Sequence, residues 1–237
     1  KLMKLVILAG GYGTRLAEET KIKPKPLVKI GNKPIIWHIL KIYSHYGIND
    51  FIICLGYKGN LLKRELNALS RKESWKIKYV KTGLQTMTGG RIKKIKKFIN
   101  KDENFCLSYG DGLSDVNIKK LINFHLKNNK IATLTAVKYK NPKGVLIFDH
   151  QFKIKKIKEK PLEYINGGFF VLSKKIFKFL KNSKTIFEKD CLPKLANRKE
   201  LIAFKHNGFW ACMDTLREKK ELNKIYNSKQ KAWKIWV

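Results

Sequence analysis

The chain has 237 residues, 43% of them hydrophobic. That is enough to bury the core of one α/β domain, and no apolar run approaches the roughly 20 residues that cross a bilayer. The formal net charge is +34, but only six of the 52 basic residues are Arg, and the Lys residues are spread along almost every segment. Such dispersal reads as solvated surface rather than the Arg- and aromatic-rich patch of a nucleic-acid binder, so neither nucleic acid nor membrane is expected as a partner. The short apolar run at the N-terminus leads into glycines without a small-residue cleavage site, which predicts a cytoplasmic protein. Cys54, Cys106, Cys191 and Cys212 are far apart and form no Cys-x-x-Cys pair. They read as small buried thiols in a reducing compartment.

The apolar run 5–10 ends in glycines, as a buried parallel strand does. Helical spacing over 34–46 predicts a helix that Gly47 stops. A strand follows at 51–57, a helix at 60–69 and a strand at 76–80. A helix is predicted over 91–100, a strand over 105–112, a helix over 117–128 and a strand over 132–139. After Pro142 the pattern changes to an antiparallel pair, 145–149 and 152–161, around Asp149-His150. A strand at 167–172, helices at 174–180 and 187–197, a strand at 201–205 and a helix at 215–227 complete the chain. Strand–helix alternation predicts an α/β fold, a Rossmann-like, mixed and mostly parallel sheet with helices on both faces. Ligands of such sheets bind beyond the carboxyl ends of the strands. With no repeat or linker, residues 1–237 read as one domain.

The first motif is LAGGYGTRL, Leu8 to Leu16, followed by KPKP at Lys23 to Pro26. Gly10, Gly11 and Gly13 allow a sharp turn and close approach of backbone to a phosphate. Free N–H groups at a following helix start favour anions, and Arg15 adds a fork of donors. Lys25, on a stiff segment between two prolines, places one more positive charge. A plain strand–helix turn with Arg15 in a salt bridge, and Lys25 as one surface lysine among many, are the alternatives. Neither G-x-G-x-x-G nor the Walker pattern is present. Asp111 sits between glycines at the end of an apolar strand, where an unpaired carboxylate is costly to bury. It is a candidate metal ligand or else a turn or capping residue. Asp214 precedes Thr215 at a helix start, so an N-cap role competes with metal binding. The five His show no shared ligand spacing, and Phe169, Phe170, Phe209 and Trp210 read as core.

LAGGYGTRL…KPKPLVKIGNKPIIWHIL resembles the signature of the sugar-1-phosphate nucleotidyltransferases. The resemblance continues through GYKG at Gly56 to Gly59, TMTGGR at Thr86 to Arg91 and YGDG at Tyr109 to Gly112. It then takes in EKP at Glu159 to Pro161, INGGFFVL at Ile165 to Leu172 and GFWACMDTLRE at Gly208 to Glu218. YGDG in place of LGDN, and a Trp-Lys-x-Trp tail at Trp233 to Trp236, make the chain similar to the glucose-1-phosphate cytidylyltransferase family within that group. The resemblance implies CTP and glucose 1-phosphate as substrates, Mg²⁺ as cofactor and a product that feeds cell-surface polysaccharide synthesis. It implies that Leu8, Ala9, Gly10, Gly11 and Tyr12 cradle cytosine and ribose, and that Gly13, Thr14 and Arg15 hold the triphosphate together with Lys25. Arg15 and Lys25 are then the catalytic cations. Thr86, Arg91 and Gly110 fall beside the nucleotide. Asp111 and Asp214 fall to the metal, Glu159 to sugar hydroxyls, Lys160 to the sugar phosphate, and Asn166 and Gly167 to the same pocket. The nucleotide part thus spans about 1–140 and the sugar part about 141–237.

The chain departs from the family pattern between Gly59 and Trp75, where it is shorter. The family assembles through accessory elements, so the shortening leaves homo-oligomerisation open. The rival readings are the same chemistry with UTP or another sugar phosphate, and a non-catalytic sugar-nucleotide-binding relative.

Overall fold

A computed structural model describes residues 3–99, 104–141, 143–228 and 232–236. β1 (Leu5–Ala9) is followed by a 3₁₀ turn (Thr14–Leu16), the short α1 (Ala17–Thr20) and a second 3₁₀ turn (Lys25–Leu27). The small hairpin β2 (Lys29–Ile30) and β3 (Lys33–Pro34) leads into α2 (Ile35–His45). Then come β4 (Asp50–Leu55), α3 (Gly59–Ser70), β5 (Lys76–Lys81), α4 (Thr88–Lys94), β6 (Asn104–Tyr109), β7 (Gly112–Ser114), α5 (Ile118–Asn128) and β8 (Ala132–Lys140). The remainder comprises β9 (Val145–Phe148), β10 (Ile154–Lys158), β11 (Leu162–Ser173), α6 (Leu192–Asn197), β12 (Leu201–His206), β13 (Trp210–Cys212) and α7 (Leu216–Asn227).

The central sheet runs β12-β8-β11-β6-β1-β4-β5. β1 is parallel to β4 and β6, β4 to β5, and β12 to β8. β11 is antiparallel to both neighbours, so it alone runs against the other six strands. Both faces are covered, and the period of the strand decides which residues go where. Leu5, Ile7 and Ala9 pack into one apolar layer with residues of α2, α3, α5 and α7. Val6 faces the other layer, with Ile92 of α4 and Leu195 of α6. The expected mixed, mostly parallel sheet with helices on both faces is what the chain forms. Among the described residues no helix is long and apolar enough to cross a membrane.

Several expected boundaries shift. The helix expected over 91–100 starts at Thr88, ends at Lys94 and gives way to a 3₁₀ turn at Lys96–Phe98; Asn100 lies outside the described residues, as does Pro142. The strand expected over 105–112 breaks at Gly110-Asp111 into β6 and β7. That over 167–172 is the second half of the 12-residue β11. The segment 174–180 forms a 3₁₀ turn rather than an α-helix, and 187–197 begins as a π-turn (Phe187–Cys191) before α6. The antiparallel pair around Asp149 is present as a separate ribbon of β9 and β10, its turn closed by the Asp149 carboxylate accepting from the Gln151 and Lys153 amides at 2.8 and 2.9 Å.

Candidate active site

The loop after β1 is held from beneath by a buried arginine. Arg91 of α4 is only 4% exposed, and burial lowers its pKa. It donates to the Gly10 carbonyl at 2.9 Å, the Gly83 carbonyl at 2.9 Å and the Thr82 hydroxyl at 2.5 Å. The Tyr57 amide donates to the same Gly10 oxygen at 3.2 Å. A Cβ on Gly10 would lie 2.1 Å from the guanidinium, so only glycine admits this clamp. Gly13 takes a φ of 68° to start the 3₁₀ turn that carries Arg15. The Thr86 hydroxyl donates to the Thr82 carbonyl at 2.6 Å, tightening the opposite wall.

Strand pairing brings the two candidate carboxylates together from 103 residues apart in sequence. β7 and β13 pair antiparallel, with Cys212 opposite Gly112, and the Met213 amide donates to the Asp111 carbonyl at 3.0 Å. Asp111 precedes β7 and Asp214 follows β13, so this register sets them side by side. Lys25 lies between them, its Nζ 2.5 Å from Asp111 Oδ2 and 2.5 Å from Asp214 Oδ1. Arg15 Nη1 reaches Asp214 Oδ2 at 2.9 Å. Burial disfavours the Lys25 ammonium, but the two carboxylates outweigh it and its pKa is raised. Asp214 does not cap α7. Thr215 is the N-cap, and Glu218 completes a capping box, also accepting from the Asp214 amide at 2.7 Å. The Asp214 carboxylate is thereby left to face the cleft.

Two cavities meet at this cluster. The larger, about 480 Å³, is lined by Leu8 to Arg15, Lys25, Pro26, Leu84 to Thr88, Arg91, Tyr109 to Asp111, Ile186 and Glu188. The second, about 400 Å³, is lined by Ile165 to Gly168, Tyr139, Ser108, Gly112, Trp210, Cys212, Asp214, Thr215 and Glu218. Arg15, Tyr109 and Asp111 line both. In the second cavity Trp210 Nε1 donates to the Gly167 carbonyl at 2.7 Å, and the Gly168 amide donates to Asn166 Oδ1 at 2.9 Å.

Of the residues singled out in sequence, Leu8 to Arg15, Lys25, Thr86, Arg91, Gly110 and Asp111 meet in the first cavity. Asn166, Gly167 and Asp214 meet in the second. Glu159 and Lys160 line neither; both are exposed, and Lys160 adopts a left-handed φ of 44° in the turn after β10. Arg91 sits against the site with its donors committed to protein carbonyls and a hydroxyl. Sequence reasoning missed Tyr109, Thr88 and Glu188. Tyr109 was legible as the strand-end residue before Gly110-Asp111. Glu188 lies in a segment read as an ordinary helix, and no local pattern marks it.

The sequence profile of the family described as "Nucleotidyl transferase" matches residues 4–227. The glucose-1-phosphate cytidylyltransferase of Salmonella typhimurium is 44% identical over 257 aligned positions, covering 99% of this chain and 100% of that protein. At least 20 of those 257 positions have no counterpart in a chain of 237 residues. The probable glucose-1-phosphate cytidylyltransferase of Bacillus subtilis is 43% identical over 99% of this chain and 100% of that one. Among solved structures, HddC from Yersinia pseudotuberculosis superposes with a TM-score of 0.76 at 27% identity, covering 95% of this chain and 100% of that chain. With a nucleotide-type loop, a converging carboxylate pair and a match along nearly its whole length, the chain belongs to the nucleotidyl transferase family.

Proposed function

We infer that the protein transfers the cytidylyl group of CTP to glucose 1-phosphate, giving CDP-glucose and pyrophosphate. The observation that carries this reading is full-length similarity to the Salmonella typhimurium cytidylyltransferase. It is joined by the meeting of two cavities at Arg15 and Asp111. A phosphate oxygen of the sugar phosphate attacks the α-phosphorus of CTP in line. The bond from that phosphorus to its bridging oxygen breaks, and pyrophosphate leaves with the electron pair. No covalent enzyme intermediate is needed; the chemistry is positioning and charge neutralisation.

In this reading the larger cavity takes the nucleotide, with Leu8 to Tyr12 against cytosine and ribose and Gly13 to Arg15 against the triphosphate. Arg91 keeps the loop in shape by holding the Gly10 carbonyl. Asn166 and Gly167 line the pocket for the sugar phosphate. Asp111 and Asp214 fit a hard divalent cation, because oxygens from both converge on one point, the Lys25 Nζ, at 2.5 Å each. Asp111 and Asp214 would hold Mg²⁺, which would supply neutralisation of triphosphate charge, and the Lys25 ammonium beside them would offer its charge to phosphate oxygens. Glu159 and Lys160 reach the sugar only if the segment after β10 folds over the second cavity. Both parts of the site belong to one domain, and the reaction is that of a cytoplasmic enzyme.

Pyrophosphate release measured across four nucleoside triphosphates and several sugar 1-phosphates tests the reading. CTP with glucose 1-phosphate is expected to give the highest kcat/KM. Another pair turned over faster replaces the substrate assignment.

A further inference from the structure

The nucleotide and sugar cavities are joined by a chain of hydrogen bonds that ends on one carboxylate. Tyr109, which lines both cavities, donates its hydroxyl proton to Glu188 Oε1. The same hydroxyl oxygen accepts from Asn166 Nδ2 at 3.3 Å. Which end of the Asn166 amide is the oxygen is set by the Gly168 amide, which donates to Oδ1 at 2.9 Å, and the Nδ2 end is held by Tyr109. On the other side, Glu188 Oε2 accepts from the Thr88 hydroxyl at 2.7 Å, and that hydroxyl accepts from the Phe187 amide at 2.9 Å. Every donor in the two branches points toward Glu188. A carboxylate accepts only, so it forces the Tyr109 hydroxyl to donate to it and leaves the phenol lone pairs for Asn166.

Glu188 is half-buried, and no basic residue among the described residues forms an ion pair with it. Its carboxylate accepts from two hydroxyls, one from each branch. It is carried by the π-turn Phe187–Cys191, a winding that recurs at functional sites because it re-aims side chains. Phe187 and Cys191 are buried while Glu188 lines the first cavity.

We propose that Glu188 is a positioning residue for the sugar phosphate: it orients the Tyr109 hydroxyl, which in turn holds the Asn166 amide against the sugar pocket. The proposal rests on the reading of the second cavity as the sugar-phosphate site. The side-chain amide of Asn166 is then presented at one angle. Its remaining N–H is free for a sugar or phosphate oxygen.

The test compares wild type, Glu188→Gln, Tyr109→Phe and the double variant. Binding of glucose 1-phosphate alone is followed by tryptophan fluorescence, using Trp210 in the same cavity, and steady-state kinetics give the KM for each substrate. Each single variant is expected to weaken glucose 1-phosphate about tenfold, as loss of one oriented hydrogen bond predicts, with a smaller rise in the KM for CTP because both residues also line the first cavity. The double variant is expected to be no worse than the worse single one, since both changes act through one hydroxyl. Additive losses, equal effects on both substrates, or unchanged sugar-phosphate affinity at an unchanged melting temperature each overturn the proposal. A wild type that binds glucose 1-phosphate but turns it over with a triphosphate other than CTP overturns the cytidylyl reading alone, and the binding comparison still decides the role of Glu188.

Discussion

Lys25 occupies the point on which Asp111 and Asp214 converge, 2.5 Å from each. Two carboxylates so placed repel one another unless a cation lies between them. Removing either acid removes half of the proposed metal seat and leaves the largely buried Lys25 with one carboxylate partner in place of two. Asp111→Asn and Asp214→Asn are therefore expected to lower kcat at least about a hundredfold, the scale of losing one electrostatic contact to a transferring phosphoryl group. Circular dichroism should show the fold retained; full activity at ordinary Mg²⁺ refutes the assignment. Lys25→Ala tests the same point from the other side. The facing acids then lose the cation between them, with Arg15 left on Asp214 alone, so the melting temperature falls in metal-free buffer, and millimolar MgCl₂ restores it by more than it raises wild type. A shift equal to that of wild type excludes these carboxylates as the cation site. Sequence alone left Asp214 divided between cap and ligand. Thr215 and Glu218 remove the cap alternative by closing the capping box without Asp214.

Packing between elements decides the shape of the loop that lines the larger cavity. A Cβ on Gly56, just after β4, would lie 2.3 Å from the Gly10 carbonyl and 2.7 Å from Arg91 Nη1. Gly56→Ala is expected to destabilise by about 1–3 kcal/mol, the range for overpacking a filled site, and to raise the KM for CTP. Gly11→Ala meets nothing within 4 Å and should stay within about 0.5 kcal/mol of wild type in urea unfolding. The elements most legible in sequence were those with long periodic runs, β1, α2, β4 and α5. The hairpin β2–β3 and strands β7 and β13 have two or three residues each, too few for any period to show. α4 begins earlier than expected because Gly89 and Gly90 pack against Thr185 and Ser183, a tertiary reason for helix where propensity argues against it. The helices also carry two buried histidines, His38 in α2 and His125 in α5, each lowered to about 4 by burial. A base with a depressed pKa is fully stabilising above its unfolded value near 6.5. That stability is lost as pH falls from there toward 4, since the unfolded chain takes the proton first. The loss can reach roughly 3 kcal/mol per histidine. His125→Gln is expected to flatten that part of the melting-temperature profile; an unchanged slope means that another group governs it.

Across the whole molecule, the parts of the site carried by short motifs were legible and those made by distant contacts were not. The glycine loop, Asp111 and Asp214 each announce themselves through neighbours in sequence. Tyr109 and Glu188 are 79 positions apart, and only the sheet and the π-turn bring them together. Glu159 and Lys160 show the converse, a legible motif that the fold leaves on an exposed turn. The net charge of +34 belongs to this scale as well. Dispersed lysines give a positive field around the protein, and both proposed substrates are anions. A field of this kind raises the encounter rate of an anion with a cleft and is screened as the Debye length falls from about 10 Å at 0.1 M salt to about 3 Å at 1 M. Within the cleft, Lys25 is shielded from solvent and 2.5 Å from both Asp111 and Asp214, so that pairing is screened far less. KM for CTP is therefore expected to rise several-fold between about 0.05 and 0.5 M KCl while kcat changes less than about twofold, the mark of a field acting on capture and not on the chemical step. A fall in kcat with constant KM assigns the salt effect to the Lys25 cluster instead. Random duplex DNA provides the control: retention by charge alone disappears over the same salt range, whereas a shift that survives at the upper end returns the dispersed lysines to a dedicated polyanion-binding role.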